Sequence, residues 1–342
     1  MNTIILLKPG KFEFVYQELN ENLDPDEVLL KVHRIGVCGT DLHAFRGKQP
    51  FFSYPRILGH ELGVEVIKIG TEVTNLNTGD RCAVEPYFNP KEGQAYRNGK
   101  SNCGEHVSVF GVHEDGGMRR LIKVKSKYLH TSTKLSYDQL ALVETLAIGC
   151  HAVNRAEVKS TDKVLIIGAG PIGLATLEFV KIKKAKVVVM DVQQNRLNFC
   201  KNIMQANGVI NSQEENVESR LRNQFDGDLP TVVFDATGNP QSMMKAFEFP
   251  AHGGKLVFIG LFQGDVTFHD PLFHRKELTL LASRNSLGVE FEEIIKLMEE
   301  GKIDTSPWIT HRTKFENVID QFESWTQPET GVIKAMIEVD LN

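Results

Sequence analysis

Three side chains in the first 150 residues have the chemistry of metal ligands. Cys38 follows an apolar segment, His60 directly precedes another, and Glu144 lies inside the apolar run 140–148. A carboxylate in such a run is costly to bury unless it is protonated, paired or bound to a cation. A thiolate, an imidazole and a carboxylate together are typical of a zinc site that keeps a position for substrate. Their wide spacing equally allows a core cysteine, a surface histidine and a glutamate on a helix face.

A second candidate site is a glycine-rich turn of the form G-x-G-x-x-G. Gly168, Gly170 and Gly173 form the pattern, with Pro171 and Ile172 between the last two. The turn follows an apolar run and opens a helical pattern, a context in which such glycines let the backbone approach a pyrophosphate. Free N–H groups at the helix N-terminus would then face the anion. The segment therefore predicts a dinucleotide site, and the alternative is a purely structural turn.

An acidic residue at the end of the next apolar run indicates which dinucleotide is bound. Asp191 follows Gly173 at about the spacing of the carboxylate that hydrogen-bonds a ribose 2′-hydroxyl. A carboxylate there repels a 2′-phosphate, so NAD is favoured over NADP. Arg196 leaves a second interpretation open, because an arginine there could accept NADP or stack on the adenine. Asp191 could also be an ordinary helix N-cap.

The elements that must position these side chains differ between the two halves of the chain. The first 150 residues are β-rich, with short β-branched runs and many glycines and prolines. From about residue 160, continuous apolar runs alternate with helical segments, which is typical of parallel strands covered on both faces. This half is therefore predicted to be doubly wound α/β. The runs cover residues 163–167, 187–190, 231–234 and 255–259.

Composition excludes several classes of protein. Hydrophobic residues make up 41% and charged residues 24% of the 342 positions, which argues against disorder and fibrous repeats. The net charge of −5 argues against nucleic acid or an anionic membrane as a partner. No apolar run reaches the roughly 20 residues that cross a bilayer, and the N-terminus has no secretory signal pattern. Five scattered cysteines favour free thiols in a reducing cytoplasm.

Five motifs resemble those of the zinc-dependent medium-chain dehydrogenase/reductase family, which includes alcohol, sorbitol and threonine dehydrogenases. They occur in family order along most of the chain: G-x-C-G-T-D-x-H at 36–43, G-H-E at 59–61, G-D-R at 79–81, the glycine turn, and D-A-T-G at 235–238. The resemblance implies a GroES-like catalytic domain in residues 1–150, a Rossmann NAD-binding domain in residues 151–285, and a return to the catalytic domain in residues 286–342. It also implies a homodimer or homotetramer.

The same resemblance assigns roles to individual residues. Cys38, His60 and Glu144 match the family's ligands of a catalytic zinc ion. Glu61 matches a glutamate that binds the zinc directly or exchanges with a neighbouring ligand, and the alternative is an acid that supports the site from outside the ligand set. The implied zinc ion acts as a Lewis acid on the substrate hydroxyl, and a hydride passes to the nicotinamide.

Two further matches imply a proton relay. Thr40 and His43 match the hydroxyl and the imidazole that carry the alcohol proton outward in the family. From the residues alone, they could equally be a helix N-cap and a loop histidine. Both lie within the first motif, so the resemblance favours the relay.

The chain departs from the family at the lobe that often binds a second, structural zinc ion. The four expected cysteine positions hold other residues, which are Pro90, Gly93, Tyr96 and Gly104. Cys103 alone cannot build a tetrahedral site, so one zinc ion per chain is expected. Two other departures concern substrate fit: Thr145 replaces the proline that usually follows the ligand glutamate, and Met118 replaces a phenylalanine of the pocket.

Longer stretches, at residues 47–56, 111–117 and 252–285, resemble the bacterial L-galactonate and L-gulonate 5-dehydrogenases within this family. The resemblance implies oxidation of a sugar acid at carbon 5 to a keto acid. Arginine is a natural partner for such a carboxylate. Arg284 matches an arginine that contacts polyol hydroxyls in relatives, with a domain-interface ion pair as its alternative, and Arg119 and Arg120 are further candidates. Oxidation of a polyol or of L-threonine would keep every motif, and a non-catalytic dinucleotide-binding protein is the most distant alternative.

Overall fold

The computed structural model describes residues 1–50 and 52–339. The strands are β1 (Asn2–Lys8), β2 (Lys11–Tyr16), β3 (Glu27–Val37), β4 (Glu61–Ile69), β5 (Arg81–Val84), β6 (Tyr87–Phe88), β7 (Ser108–Val109), β8 (Leu121–Lys125), β9 (Leu129–Thr131), β10 (Lys163–Ile167), β11 (Lys186–Asp191), β12 (Gly208–Asn211), β13 (Val232–Asp235), β14 (Lys255–Phe258), β15 (Thr279–Ala282), β16 (Ile309–Lys314) and β17 (Lys334–Glu338). The α-helices are α1 (Gly39–Phe45), α2 (Gln94–Arg97), α3 (Tyr137–Ala141), α4 (Val143–Ala156), α5 (Pro171–Ile182), α6 (Gln194–Asn202), α7 (Val217–Gln224), α8 (Pro240–Lys245), α9 (Asp270–Arg275), α10 (Gly288–Glu299) and α11 (Val318–Phe322). None of these helices combines the length and the apolar character that a bilayer crossing requires.

The chain folds into two compact units. The first comprises Met1–Thr145 and the described residues from Leu287 onward, and the second comprises Leu146–Ser286. The chain therefore leaves the first unit once and returns to it near the C-terminus, so residues distant in sequence share one core there.

The first unit is organised around the long strand β3. Its main sheet has the order β16-β17-β3-β4-β5-β9, and β8 also pairs with β3. The pairs of β3 with β4, β8 and β17 are all antiparallel. Val28, Leu30 and Val32 on β3 are fully buried and pack into the core with Val64 and Val66 of β4. This packing fixes the register of β3 and β4, and three of the candidate metal ligands, Cys38, His60 and Glu61, stand at the ends of these two strands.

The second unit contains a six-stranded parallel sheet, as the continuous apolar runs predict. Its order is β12-β11-β10-β13-β14-β15, and every neighbouring pair is parallel. Counted from β10, this is the order 3-2-1-4-5-6 of dinucleotide-binding sheets. Val164, Leu165 and Ile166 of the central strand are fully buried, and each contributes about 1.5–3 kcal/mol relative to an exposed position. The predicted doubly wound α/β half is confirmed.

Candidate functional site

Two paired strands bring three of the predicted metal ligands together in the first unit. β3 ends at Val37, so Cys38 becomes the N-cap of α1, and β4 begins directly after His60. The antiparallel register pairs Gly36 with Glu61. One donor atom each from Cys38, His60 and Glu61 then lies within 4.8 Å of the others. A Cβ atom on Gly36 would lie 2.1 Å from Oε2 of Glu61, so this approach requires a glycine opposite Glu61.

A buried carboxylate that the sequence analysis did not single out supports the first two ligands. Oδ2 of Asp41 accepts a hydrogen bond from the backbone N–H of Cys38 at 2.9 Å, and its Oδ1 lies 3.8 Å from Nδ1 of His60. The imidazole also hydrogen-bonds the Cys38 side chain, so one ring nitrogen faces the donor cluster and the other faces Asp41. Burial raises the pKa of Asp41. A carboxylate behind a histidine commonly fixes the ring orientation for metal binding.

A buried lysine holds the third side chain, Glu61. Nζ of Lys334 lies 2.6 and 2.7 Å from the two carboxylate oxygens, 3.3 Å from the carbonyl oxygen of Val37 and 3.4 Å from Oγ1 of Thr145. Burial lowers the pKa of Lys334, but the charge of Glu61 and its neighbours raises that pKa overall. Thr145, which departs from the family pattern, therefore contacts the lysine. The signal that could have identified Lys334 is a lone lysine inside the apolar run 332–337.

Glu144, a predicted ligand, lies outside the three-donor cluster. It occupies the first turn of α4 and accepts a hydrogen bond from the hydroxyl of Tyr87, a residue that the sequence analysis did not identify. Burial raises the pKa of Glu144. Burial alone would lower the pKa of His60, but the charges of Asp41, Cys38 and Glu144 raise it well above its ordinary value. Glu144 is therefore within electrostatic reach of the cluster.

The buried charges at this place fit a divalent cation. Three carboxylates, those of Asp41, Glu61 and Glu144, are buried here, and Lys334 contributes one buried ammonium group. In the described part of the chain, Oδ1 of Asp41 and Nδ1 of His60 have no hydrogen-bond partner, and buried polar groups without partners are strongly unfavourable. Sulfur, imidazole nitrogen and carboxylate oxygen are the donors that zinc prefers. In residues 1–50 and 52–339, no other group of three such side chains comes as close together.

Helix α1 carries both residues of the predicted proton relay. Thr40 and His43 are three positions apart, so they lie on one face of the helix that Cys38 caps. His43 reaches the surface, but its ring is partly enclosed, and this burial lowers its pKa. The positive charges of Arg46 and Lys48 lower the pKa further. A neutral imidazole at this position can accept a proton near neutral pH.

The second unit contains a cavity of about 470 Å³ at the carboxyl ends of β10, β11 and β13. Ligands bind in parallel sheets at this place, where the strand order reverses. Four of the predicted cofactor residues line the cavity and the other three form the first turn of α5. The lining residues are Gly168, Gly170, Asp191 and Arg196, and the helix residues are Pro171, Ile172 and Gly173.

Two of the three glycines in the turn are required by its geometry. Gly168 has a φ of 98°, which side chains disfavour. A Cβ atom on Gly173 would lie 1.8 Å from the carbonyl oxygen of Gly168, so only glycine lets α5 begin this close to β10. The N-cap of α5 is Gly170, and the unpaired N–H groups of the first helical turn are available to an anion.

Two aspartates shape the cavity. Asp191 accepts hydrogen bonds from the backbone N–H groups of Ala169 at 2.6 Å and Gln193 at 2.8 Å, and each carboxylate oxygen keeps a further lone pair for a ribose hydroxyl. Asp235, to which the sequence analysis gave no role, is fully buried. It accepts hydrogen bonds from the backbone N–H of Thr237 at 2.9 Å, from its Oγ1 at 2.6 Å, and from Oγ of Ser242 at 2.7 Å. Both partners of Asp235 line the cavity.

The lobe in which the family resemblance would place a second, structural zinc ion contains a buried amide. Nδ2 of Asn89 donates a hydrogen bond to the carbonyl oxygen of Ser101 at 3.2 Å, and its backbone N–H donates to the hydroxyl of Tyr128 at 2.8 Å. A Cβ atom on Gly104, one of the expected cysteine positions, would lie 2.5 Å from Nδ2. Cys103 is an exposed free thiol. The side chain of Asn89 thus occupies the space beside Gly104.

The other substrate candidates have defined positions. Arg284 is exposed and follows β15 in the second unit. Arg119 donates hydrogen bonds to two carbonyl oxygens of its own loop, and Arg120 forms an ion pair with Glu316 at 3.2 Å. Met118 is fully buried in the core of the first unit, so the expectation that it lines a pocket is wrong.

Comparison with known proteins gives matches over both units. Residues 24–134 match the alcohol dehydrogenase GroES-like domain, and residues 171–300 match the zinc-binding dehydrogenases. The L-galactonate-5-dehydrogenase of Escherichia coli is 37% identical over 337 residues, which is 98% of each chain. The sorbitol dehydrogenase of Ovis aries is 30% identical over 326 residues, which is 92% of this chain and 90% of that protein.

A solved structure shows the same fold over the whole chain. Galactitol-1-phosphate dehydrogenase from Escherichia coli superposes with a TM-score of 0.91 at 25% identity, covering 99% of this chain and 100% of that chain. The parallel sheet with its glycine turn, the β-rich first unit and the sulfur–imidazole–carboxylate cluster agree with these matches. The chain therefore belongs to the zinc-type alcohol dehydrogenases of the medium-chain dehydrogenase/reductase family, and it is an oxidoreductase that acts on CH–OH groups.

Proposed function

We propose that this enzyme oxidises a secondary alcohol of a sugar acid, L-galactonate or L-gulonate at carbon 5, to the keto acid. The observation that carries the proposal is the 37% identity with L-galactonate-5-dehydrogenase over 98% of both chains. We assign the catalytic domain to residues 1–150 and 286–342 and the NAD-binding domain to residues 151–285. Arg284 is the proposed substrate ligand from the second unit.

One zinc ion is proposed to bind Cys38, His60 and Glu144, with Glu61 as an exchangeable ligand. Bound zinc acts as a Lewis acid that lowers the pKa of the substrate hydroxyl. Lys334 engages both oxygens of Glu61, so this ammonium group would compete with the metal for that carboxylate. That contact supports Glu144 as the resident carboxylate.

The chain's own residues then move the proton. Oγ1 of Thr40 takes the proton of the substrate hydroxyl and releases its own, which neutral His43 accepts at its ring. The low pKa of His43 keeps the imidazole neutral, so it is ready to act as a base. Position along α1 supports this order, because Thr40 is nearer to the N-cap Cys38 and His43 reaches the surface.

The dinucleotide is proposed to be NAD, which supplies the hydride acceptor. Replacing Asp191 by asparagine is expected to lower the ratio of kcat/KM for NAD to that for NADP at least about tenfold, because about 1.4 kcal/mol of charge discrimination is lost. The amide of the substituted side chain is neutral and no longer repels a 2′-phosphate. Steady-state rates with both dinucleotides measure the ratio.

A matched control for this substitution is Asp265→Asn, which changes an exposed aspartate of the same unit. This control should keep the parent ratio. An Asp191→Asn enzyme with an unchanged ratio would show that Asp191 does not select the dinucleotide.

The proposed reaction is tested by NAD reduction with a panel of substrates, with the zinc content determined on the same preparation. We expect one zinc ion per chain and the highest kcat/KM with L-galactonate or L-gulonate, above L-idonate, sorbitol and L-threonine. Two zinc ions per chain would contradict the single-site proposal. Turnover of neutral polyols or L-threonine with none of a sugar acid would contradict the substrate.

A polyol is the second candidate substrate, because this chain is 30% identical to the sheep sorbitol dehydrogenase over most of its length. The same substrate panel separates the two proposals.

All five cysteines are free thiols, which supports a cytoplasmic location. A homodimer or homotetramer is proposed as the assembly, and light scattering of the purified enzyme would measure it.

A further inference from the structure

We infer that Arg46 and Lys48, which follow α1 in the first unit, form the subsite that binds the carboxylate of the acid substrate. The inference rests on the proposed function, since it names the part of the enzyme that distinguishes a sugar acid from a polyol. Neither residue belongs to the metal cluster, the proton relay or the dinucleotide cavity.

The position of these cations relative to the metal ligands suits this role. Cys38 is the N-cap of α1 and Arg46 is its C-cap. At a rise of about 1.5 Å per residue, Arg46 stands about 12 Å along the helix from Cys38. In an extended sugar acid the carboxylate lies about 6 Å from the carbon 5 hydroxyl. An arginine side chain also reaches about 6 Å from its backbone, so substrate and side chain together span the distance of about 12 Å between Cys38 and Arg46.

Arg46 also lies on the relevant face of the helix. It is three residues after His43, so the two side chains are neighbours on one surface. The backbone N–H of Lys48 donates a hydrogen bond to the carbonyl oxygen of His43 at 2.8 Å, which brings the second cation back to the same end of the helix. The charges of Arg46 and Lys48 both act on the His43 imidazole and lower its pKa.

The turn that carries the two cations is closed by a backbone hydrogen bond and packs against Pro9. Gly47 has a φ of 70°, and its N–H donates a hydrogen bond to the carbonyl oxygen of Ala44 at 3.0 Å. A Cβ atom on Gly47 would lie 2.9 Å from Cγ of Pro9. The guanidinium of Arg46 donates to the carbonyl oxygen of Thr326, which leaves its other N–H groups for a ligand. A subsite with a fixed backbone loses little entropy on binding.

No carboxylate in the described part of the chain forms an ion pair with either cation, Arg46 or Lys48. The other candidate cations of this unit are engaged: Lys334 binds Glu61, and Arg119 binds carbonyl oxygens of its own loop. Arg46 and Lys48 are both exposed. Two uncompensated cations beside a neutral histidine favour an anionic ligand.

The test compares an acid with the alcohol that differs from it only at the charged group. L-galactonate has a carboxylate where galactitol has CH₂OH, and both are offered to the parent enzyme and to Arg46→Gln, Lys48→Gln and the double variant. The ratio of kcat/KM for galactonate to that for galactitol should fall about tenfold in each single variant and about a hundredfold in the double variant, as expected for the loss of charge-assisted contacts. The control Lys68→Gln removes an exposed cation at the far end of β4, and its ratio should equal that of the parent.

Calorimetric binding of galactonate to the zinc-loaded parent and double variant keeps this test separate from the proposed reaction. Weaker binding of galactonate to the double variant than to the parent supports the subsite. If the parent binds galactonate in this way but does not oxidise it, the proposed reaction is wrong and the subsite is still supported. Equal ratios and equal binding in parent and double variant overturn the subsite. The subsite is also overturned if the galactonate-to-galactitol ratio falls as far in Lys68→Gln as in the other variants, because the effect then comes from the net charge of the enzyme.

Discussion

Replacing Cys38 by serine is expected to lower kcat/KM about a thousandfold, which corresponds to about 4 kcal/mol of transition-state stabilisation. The sulfur of Cys38 is one of three donors within 4.8 Å of one another. A serine hydroxyl is not ionised near neutral pH, so it cannot replace a thiolate as a zinc ligand. Activity is measured by NAD reduction, and the zinc content of the same preparation should fall with it.

A second cysteine provides the control for this substitution. Cys103 is an exposed free thiol in the lobe in which the family resemblance would place a structural zinc ion. The Cys103→Ser enzyme should keep its zinc ion and its activity. If Cys38→Ser retained full zinc and full activity, the metal would have to bind elsewhere. Zinc lost from Cys103→Ser would instead indicate a site in the lobe.

The sheet of the second unit could be predicted where its strands are buried on both faces. The four apolar runs of the sequence became β10, β11, β13 and β14, which occupy the interior of the sheet. The edge strands β12 and β15 gave no such signal. Most residues of β15 are exposed and those of β12 alternate between buried and partly buried, so hydrophobicity alone does not distinguish either strand from a loop.

In the candidate metal site, some residues are marked by short local motifs and others are placed only by the pairing of distant strands. Cys38 and His60 stand at strand ends that two short motifs mark, and the register of β3 with β4 is sufficient to bring them together. The position of Lys334 beside the site depends on a third strand, because β17 pairs with β3 and Ala335 lies opposite Val37. No motif marks a pairing between segments so far apart in sequence.

The choice between the two glutamates could not be predicted either. Glu61 and Glu144 are both buried beside the same histidine. Their partners decide their positions, because Lys334 binds Glu61 and Tyr87 binds Glu144. These partners come from distant segments, so the sequence indicates two carboxylates but not which one joins the donor cluster.

Replacing Lys334 by methionine is expected to lower the free energy of unfolding of the metal-free enzyme by about 3–5 kcal/mol, the cost of removing one partner of a buried ion pair. Both charged groups are at most 1% exposed, so water cannot compensate Glu61. The double variant Glu61→Gln, Lys334→Met removes both charges and should recover most of the loss. Urea unfolding of the parent, Lys334→Met, Glu61→Gln and the double variant gives the coupling energy between the two side chains.

Comparing the metal-free and the zinc-loaded enzyme tests whether this loss of stability arises at the metal site. A divalent cation bound beside Glu61 supplies the positive charge that Lys334→Met removes, so the loss of stability should be clearly smaller in the zinc-loaded enzyme. Lys276→Met is the matched control, because Lys276 is also a buried lysine, with 7% of its surface exposed. In the described part of the chain, its ammonium group donates hydrogen bonds only to the carbonyl oxygens of Glu248 and Pro250. Its loss of stability should be the same with and without zinc. A Lys334→Met enzyme that zinc fails to stabilise in this way would show that Glu61 and the metal do not share one electrostatic site.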